Sequence, residues 1–191
     1  MVKNPRPTRA EVSDIANAVL DGTDALLLTA ETAVGAYPCE AVQAMDRIIR
    51  EIECHPELAA PGADAVEGPE RLRTSHAVAA AACAAARMRQ VPLIVVFTKS
   101  GSSARVVAAG RPPVPILAVT DDRRTWRQLA LLWGVVPMLT DRPPRYETML
   151  DAAREHILAS GLAKRGDAVV VTAGVPFDRP GNTNLMMIEE V

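Results

Sequence analysis

Residues 98–105 read Thr-Lys-Ser-Gly-Ser-Ser-Ala-Arg and set four hydroxyls, an ammonium and a glycine side by side. The stretch follows the apolar run Leu93–Phe97 and leads into a segment with helical spacing, so it joins a strand to a helix start. Backbone amides at a helix start and the helix dipole favour an anion, and Ser and Thr hydroxyls add neutral donors. A phosphoryl group fits Thr98, Lys99, Ser100, Gly101, Ser102 and Ser103. The alternative is a plain strand-to-helix turn capped by Ser102. The pattern is neither GxxxxGK nor GxGxxG.

Two further stretches carry candidate chemistry. "TAGVPFDRPGNTN", Thr172 to Asn184, begins where another strand ends and is rich in Gly, Pro and small polar residues. It either folds over the same anion through Gly181, Asn182 and Thr183 or is an ordinary loop between two strands. "LLLTAETAVGAYP", Leu26 to Pro38, is an apolar run that breaks into Thr29, Glu31 and Thr32. His55, His76 and His156 have no spacing that suggests a ligand set or a triad. Arg123, Arg124 and Arg127 read as a solvated basic face, and Trp126 and Trp133 as one side of a single helix, packed in a core or interface.

The elements that must hold these residues follow from composition and periodicity. The 191 residues are 49% hydrophobic and only 3% aromatic. A core of Ala, Val, Leu and Ile suits a parallel sheet under Ala-rich helices. A net charge of −2, with the signs mixed along the chain, excludes a nucleic-acid or lipid footprint. Cys39, Cys54 and Cys83 form neither a disulfide framework nor a zinc pattern, which predicts reduced thiols. With no apolar run of membrane-spanning length and no signal-peptide core at the N-terminus, a soluble, cytoplasmic protein is expected.

Thr8-Arg9-Ala10-Glu11 is a capping box, and the apolar spacing after it predicts a helix that Asp21-Gly22 stops. Ala25–Leu28 reads as a short buried strand. Pro38 opens a second helix, whose stripe Ala41, Val42, Met45, Ile48, Ile49 and Ile52 runs to about Glu53. Residues 54–71 turn to Pro, Gly, Ala and acids and read as a linker. Beyond it, helices are predicted over Ser75–Arg89, Ser102–Ala109, Arg123–Trp133 and Tyr146–Ser160. Strands are predicted over Leu93–Phe97, Pro115–Val119, Val135–Leu139, Ala168–Gly174 and near Leu185–Val191. This alternation demands a mostly parallel five-stranded sheet in a three-layer α/β sandwich.

"KNPRPTRAEVSDIANAVLDGTDALLLTAETAVGAYPCEAV" closely resembles the end of the pyruvate kinase catalytic barrel. "VVFTKSGSSARVVAAGRPPVPILAVT", "GDAVVVTAGVP" and "PGNTNLMMI" resemble the C-terminal domain of that family. The resemblance spans essentially the whole chain. It implies that residues 1–53 are an incomplete (β/α)8-barrel remnant and that residues 72–191 are the effector-binding and oligomerising α/β domain. By the same resemblance, Leu26–Thr29 is the eighth barrel strand, with Thr29, Glu31 and Thr32 at its carboxyl end. Thr32 matches the family's substrate-contacting threonine. The family's Ser-Gly is Thr29-Ala30 here, and its Ala-Lys is Ala33-Val34, which removes a positive charge.

Such a family transfers a phosphoryl group from phosphoenolpyruvate to ADP with Mg2+ and K+, giving pyruvate and ATP in glycolysis. Its catalytic lysine, metal carboxylates, phosphate-binding arginine and potassium ligands match positions upstream of Met1. The chain is therefore expected to hold no cofactor of its own and to be inactive alone, since phosphoryl transfer depends on metal ions and cationic clamps. It is expected to be part of a conventional enzyme, a stand-alone phosphometabolite-binding or oligomerising module, or the C-terminal half of a split enzyme. The expected partners are a sugar phosphate or AMP, further copies of the chain, or a separate upstream half.

Overall fold

The computed structural model describes residues 1–55, 73–141, 145–176 and 182–191, and the chain divides into two units, Met1–Gly62 and Ala63–Val191. The first unit carries α1 (Arg9–Leu20), α2 (Ala30–Ala33) and α3 (Pro38–Glu53). The Thr8 hydroxyl accepts the Glu11 amide at 3.2 Å while the Glu11 carboxylate accepts the Thr8 amide at 2.7 Å, so two orphan donors are satisfied reciprocally. Pro38 starts α3, where its fixed φ suits the first turn and its missing N–H costs nothing. Helix α3 packs on α1 and α2 and buries Ala41 and Ala44, with Met45, Ile48, Ile49 and Ile52 half-buried.

Ala25–Leu28 is not the buried strand its composition predicts. The segment has no regular secondary structure, and Leu27 is 86% exposed. A strand needs neighbours to take up its amides and carbonyls, and the described residues of this unit hold none. Thr29 instead leads directly into the single turn of α2.

The second unit alternates helix and strand: α4 (Thr74–Arg89), β1 (Ile94–Phe97), α5 (Ser102–Ala109), β2 (Ile116–Thr120), α6 (Arg123–Leu129), β3 (Val135–Leu139), α7 (Tyr146–Ser160), β4 (Ala168–Ala173) and β5 (Leu185–Glu190). The sheet order is β3-β2-β1-β4-β5, parallel except for β5, which runs antiparallel to β4. Side-chain alternation splits the core in two. Ile94, Val96, Ile116, Ala118 and Val170 face the Ala-rich sides of α4 and α5 together with Leu129 of α6. Leu93, Val95, Phe97, Leu117, Val119, Val169 and Val171 face Met149, Leu150, Ala153 and Ile157 of α7. Three layers result, because central strands that are apolar on both faces need a helical cover on each.

One helix is shorter than its periodicity suggests. α6 ends at Leu129, where the amides of Leu131 and Leu132 tighten to bonds three residues back, and Gly134 at φ 67° swings the chain into β3. Trp126 and Trp133 therefore do not share a helix face. The Trp126 indole donates to the Pro137 carbonyl at 3.1 Å, and the Trp133 ring lies 4.9 Å beneath the Arg111 guanidinium.

Candidate functional site

From β1 the chain moves outward through β2 to β3, then returns to the far side of β1 for β4. The direction of winding reverses between β1 and β4, and a crevice opens at the carboxyl ends of strands at such a switch point. Two segments leave the sheet there. One is Thr98–Ser103 after β1, and the other begins at Gly174 after β4.

The first segment is built by Thr98, whose buried hydroxyl accepts the Gly101 amide at 3.0 Å. Gly101 is the N-cap of α5 at φ 80°, a left-handed conformation that favours glycine. A Cβ there would also meet Leu129 Cδ2 at 3.3 Å and Thr125 Cγ2 at 3.4 Å. With a glycine as N-cap, α5 has no side-chain cap, so Ser102 is its first residue rather than the cap. The Arg105 amide donates to the Gly101 carbonyl at 3.0 Å, and the amides of Ser102, Ser103 and Ala104 precede that bond at the positive end of the dipole. Ser100 is exposed and donates to the Ser102 hydroxyl at 3.1 Å. Lys99 Nζ lies 3.7 Å from Asp121 Oδ2, with half of the lysine side chain exposed. Such a pair contributes little by itself.

The neighbouring helix supports this loop. The Thr125 hydroxyl donates to the Lys99 carbonyl at 2.9 Å, and the Thr125 amide donates to Asp122 Oδ1 at 2.6 Å. Hydrogen bonding from the Thr125 amide holds the Asp122 carboxyl below its ordinary range. Arg123, Arg124 and Arg127 of the same helix are exposed.

The second segment is drawn tight at its base. A Cβ on Gly174 would lie 2.3 Å from the Asn182 carbonyl oxygen, so only glycine allows this approach of two backbones. Asn184 Oδ1 accepts the Val175 amide at 2.9 Å, while Asn182 Nδ2 and Asn184 Nδ2 donate to the Val175 carbonyl at 3.1 and 2.8 Å. Asn182 thus spends its side chain on the loop base. Thr183 is buried, and its hydroxyl shares a hydrogen bond with that of Ser103. Gly181 lies outside the described residues. Beyond Thr183, β5 is anchored through Glu189, which accepts from the Tyr146 hydroxyl at 3.0 Å and from Arg154 at 3.2 Å. Burial, then the bond to Glu189, pushes the Tyr146 hydroxyl well above its usual range.

Thr125 has no counterpart among the sequence candidates, and Thr172 and Asn184 are the ends of the candidate stretch after β4 without being singled out within it. Thr172 is fully buried at the end of β4, and its hydroxyl has no hydrogen-bond partner among the described residues, nor does the buried Nδ1 of His76. Thr172 and Asn184 carry a sequence signal through their place in that small polar stretch, and Thr125 carries none.

Thr29, Glu31 and Thr32 come together in the first unit as a local turn. Glu31 accepts the Thr29 amide at 3.2 Å, and the Thr32 hydroxyl donates to the Thr29 carbonyl at 3.3 Å. Thr29 and Thr32 are exposed. Among the described residues no group of three or more His, Cys, Asp or Glu side chains could hold a metal ion. Glu31 is the one carboxylate of its turn. Among the described residues no helix is long and apolar enough to cross a membrane.

Comparison with known proteins bears on both units. The family model "Pyruvate kinase, alpha/beta domain" matches residues 76–189, and "Pyruvate kinase, barrel domain" matches residues 1–42. A pyruvate kinase of Agrobacterium vitis is 44% identical over 190 residues, and that of Clostridium acetobutylicum is 40% identical over 191 residues. Each alignment covers 100% of this chain and 40% of the relative, so the chain spans well under half of their length. The crystal structure of a pyruvate kinase from Cryptosporidium parvum superposes with a TM-score of 0.86 at 31% identity, covering 99% of this chain and 37% of that one. With more than half of its residues matching the α/β-domain model, the chain belongs to the pyruvate kinase family.

Proposed function

We propose that the second unit is an effector-binding module that holds the phosphoryl group of a small metabolite, a sugar phosphate or AMP, at the β1/β4 switch point. The observation that carries this reading is the start of α5. Its first amides have no side-chain cap and follow a left-handed glycine, with the Ser100 and Ser102 hydroxyls beside them and Lys99 adjacent. A dianionic phosphoryl group supplies the acceptors that such amides need. Thr98 acts on the shape of the loop, and the Ser103–Thr183 bond joins the two sides of the crevice.

The same reading makes the 191-residue chain inactive alone in phosphoenolpyruvate-dependent phosphoryl transfer, a reaction in which metal ions and cationic clamps carry the catalysis. Thr29, Glu31 and Thr32 are then a substrate-contacting edge that needs the rest of a barrel. Leu27, Val34 and Val42 are 86%, 79% and 51% exposed, which supports cover from further copies or from a chain supplying barrel residues.

Calorimetry with fructose 1,6-bisphosphate, other sugar phosphates and AMP tests the proposal on wild type and Ser102→Asp. An acid in the first turn favours the helix but repels a phosphoryl group, so the variant should stay folded and lose the binding heat. Equal, weak heats from both proteins would leave only a structural turn.

A further inference from the structure

We infer that Thr125, on α6 rather than on the loop itself, is the positioning residue that sets the geometry of the Thr98–Ser103 anion loop; the inference rests on the effector reading above. Thr125 is 6% exposed and touches the loop in two ways. Its hydroxyl donates to the Lys99 carbonyl at 2.9 Å, across 26 residues of sequence, and its methyl lies 3.4 Å from the point where a Cβ on Gly101 would stand. The methyl and Leu129 thereby wall the left-handed glycine, while the hydroxyl fixes the peptide two residues before it.

The Thr98 hydroxyl, holding the Gly101 amide at 3.0 Å, closes the turn from the other side. The peptide planes between Lys99 and Gly101 are thus bonded at both ends, immediately before the amides of Ser102 and Ser103 that open α5. Thr125 is itself fixed, since its amide donates to Asp122 at 2.6 Å. An amide cluster stabilises an anion without reorganising only when its donors are already aimed, so a residue that aims them changes affinity without touching the ligand.

Three proteins separate this role from mere packing. Thr125→Val keeps the methyl and the branched shape but removes the hydroxyl, while Thr125→Ser keeps the hydroxyl and removes the methyl. Nitrogen-detected amide shifts and hydrogen exchange are measured without ligand, then during titration with inorganic phosphate. In Thr125→Val the Gly101 amide should exchange about tenfold faster, and phosphate affinity should fall about tenfold, as expected for one lost hydrogen bond. Thr125→Ser should retain affinity within about twofold of wild type. If the loop amides of Thr125→Val keep wild-type shifts and exchange, the positioning role is wrong, whatever happens with phosphate. If exchange rises as stated but wild type shows no phosphate-dependent shift, Thr125 does position the loop and the effector reading fails instead.

Discussion

Ser103, in the first turn of α5, and Thr183, 80 residues later at the approach to β5, share a hydrogen bond between two buried hydroxyls. This bond ties the segment after β1 to the segment after β4 across the switch point. Removing one partner leaves the other buried and unpaired, so Ser103→Ala or Thr183→Val should each destabilise the chain by about 1–3 kcal/mol in urea unfolding. The double variant should cost clearly less than the sum, because both polar groups leave together. Additive effects would show that the bond does not form in solution.

Gly101→Ala places a Cβ at φ 80° and 3.3 Å from Leu129 Cδ2. Left-handed backbone strain predicts a loss of about 1–2 kcal/mol, read as a lower urea midpoint with an unchanged slope. A neutral substitution would mean that the loop adopts another conformation.

The Asp122 carboxyl has a folded pKa below its unfolded value, chiefly because it accepts the Thr125 amide. Its contribution is therefore fully present above the ordinary aspartate range and is lost as pH falls through the folded value. Asn caps a helix about as well as Asp but does not titrate. Between pH 7 and pH 3 the wild type should lose more stability than Asp122→Asn. Parallel pH profiles for the two proteins would contradict the assigned cap.

Much of the architecture is legible locally. The strands of the second unit and helices such as α5 and α7 follow from short-range apolar patterns, since each central strand is apolar on both faces and each helix keeps its own period. Non-local pairing is what the residues hide. Ala25–Leu28 has the composition of a strand, yet strand formation depends on neighbours elsewhere, and among the described residues the segment pairs with none. The end of α6 depends on the turn at Gly134, so helical spacing alone extends it to Trp133. In the candidate site the hydroxyl-rich loops stand out by composition. Thr125 does not, because its role arises from a contact to Lys99 that only the packing of α6 on the sheet creates.

Leu27 and Val34 are 86% and 79% exposed in the first unit. Leu27→Ser and Val34→Ser should change stability by no more than about 0.5 kcal/mol, as for other exposed positions. They should also reduce self-association, followed by light scattering across concentration. A large stability loss would show that these side chains are already covered within the chain.

A coupled assay of the 191-residue chain with phosphoenolpyruvate, ADP, magnesium and potassium should show no ATP synthesis. Turnover that disappears in Thr32→Ala would place a working site in the first unit.

A phosphoryl group received by the amides opening α5 would be seen at the site itself by amide shift mapping of the wild-type chain. Titration with fructose 1,6-bisphosphate and with AMP should move the amides of Lys99 to Ala104, with Thr183 following through its bond to Ser103. At least one of the two ligands should saturate these shifts, and an equal concentration of sulfate should not match its affinity. Shifts confined to other surfaces, or none at the start of α5 with either ligand, would mean that these amides hold no phosphoryl group.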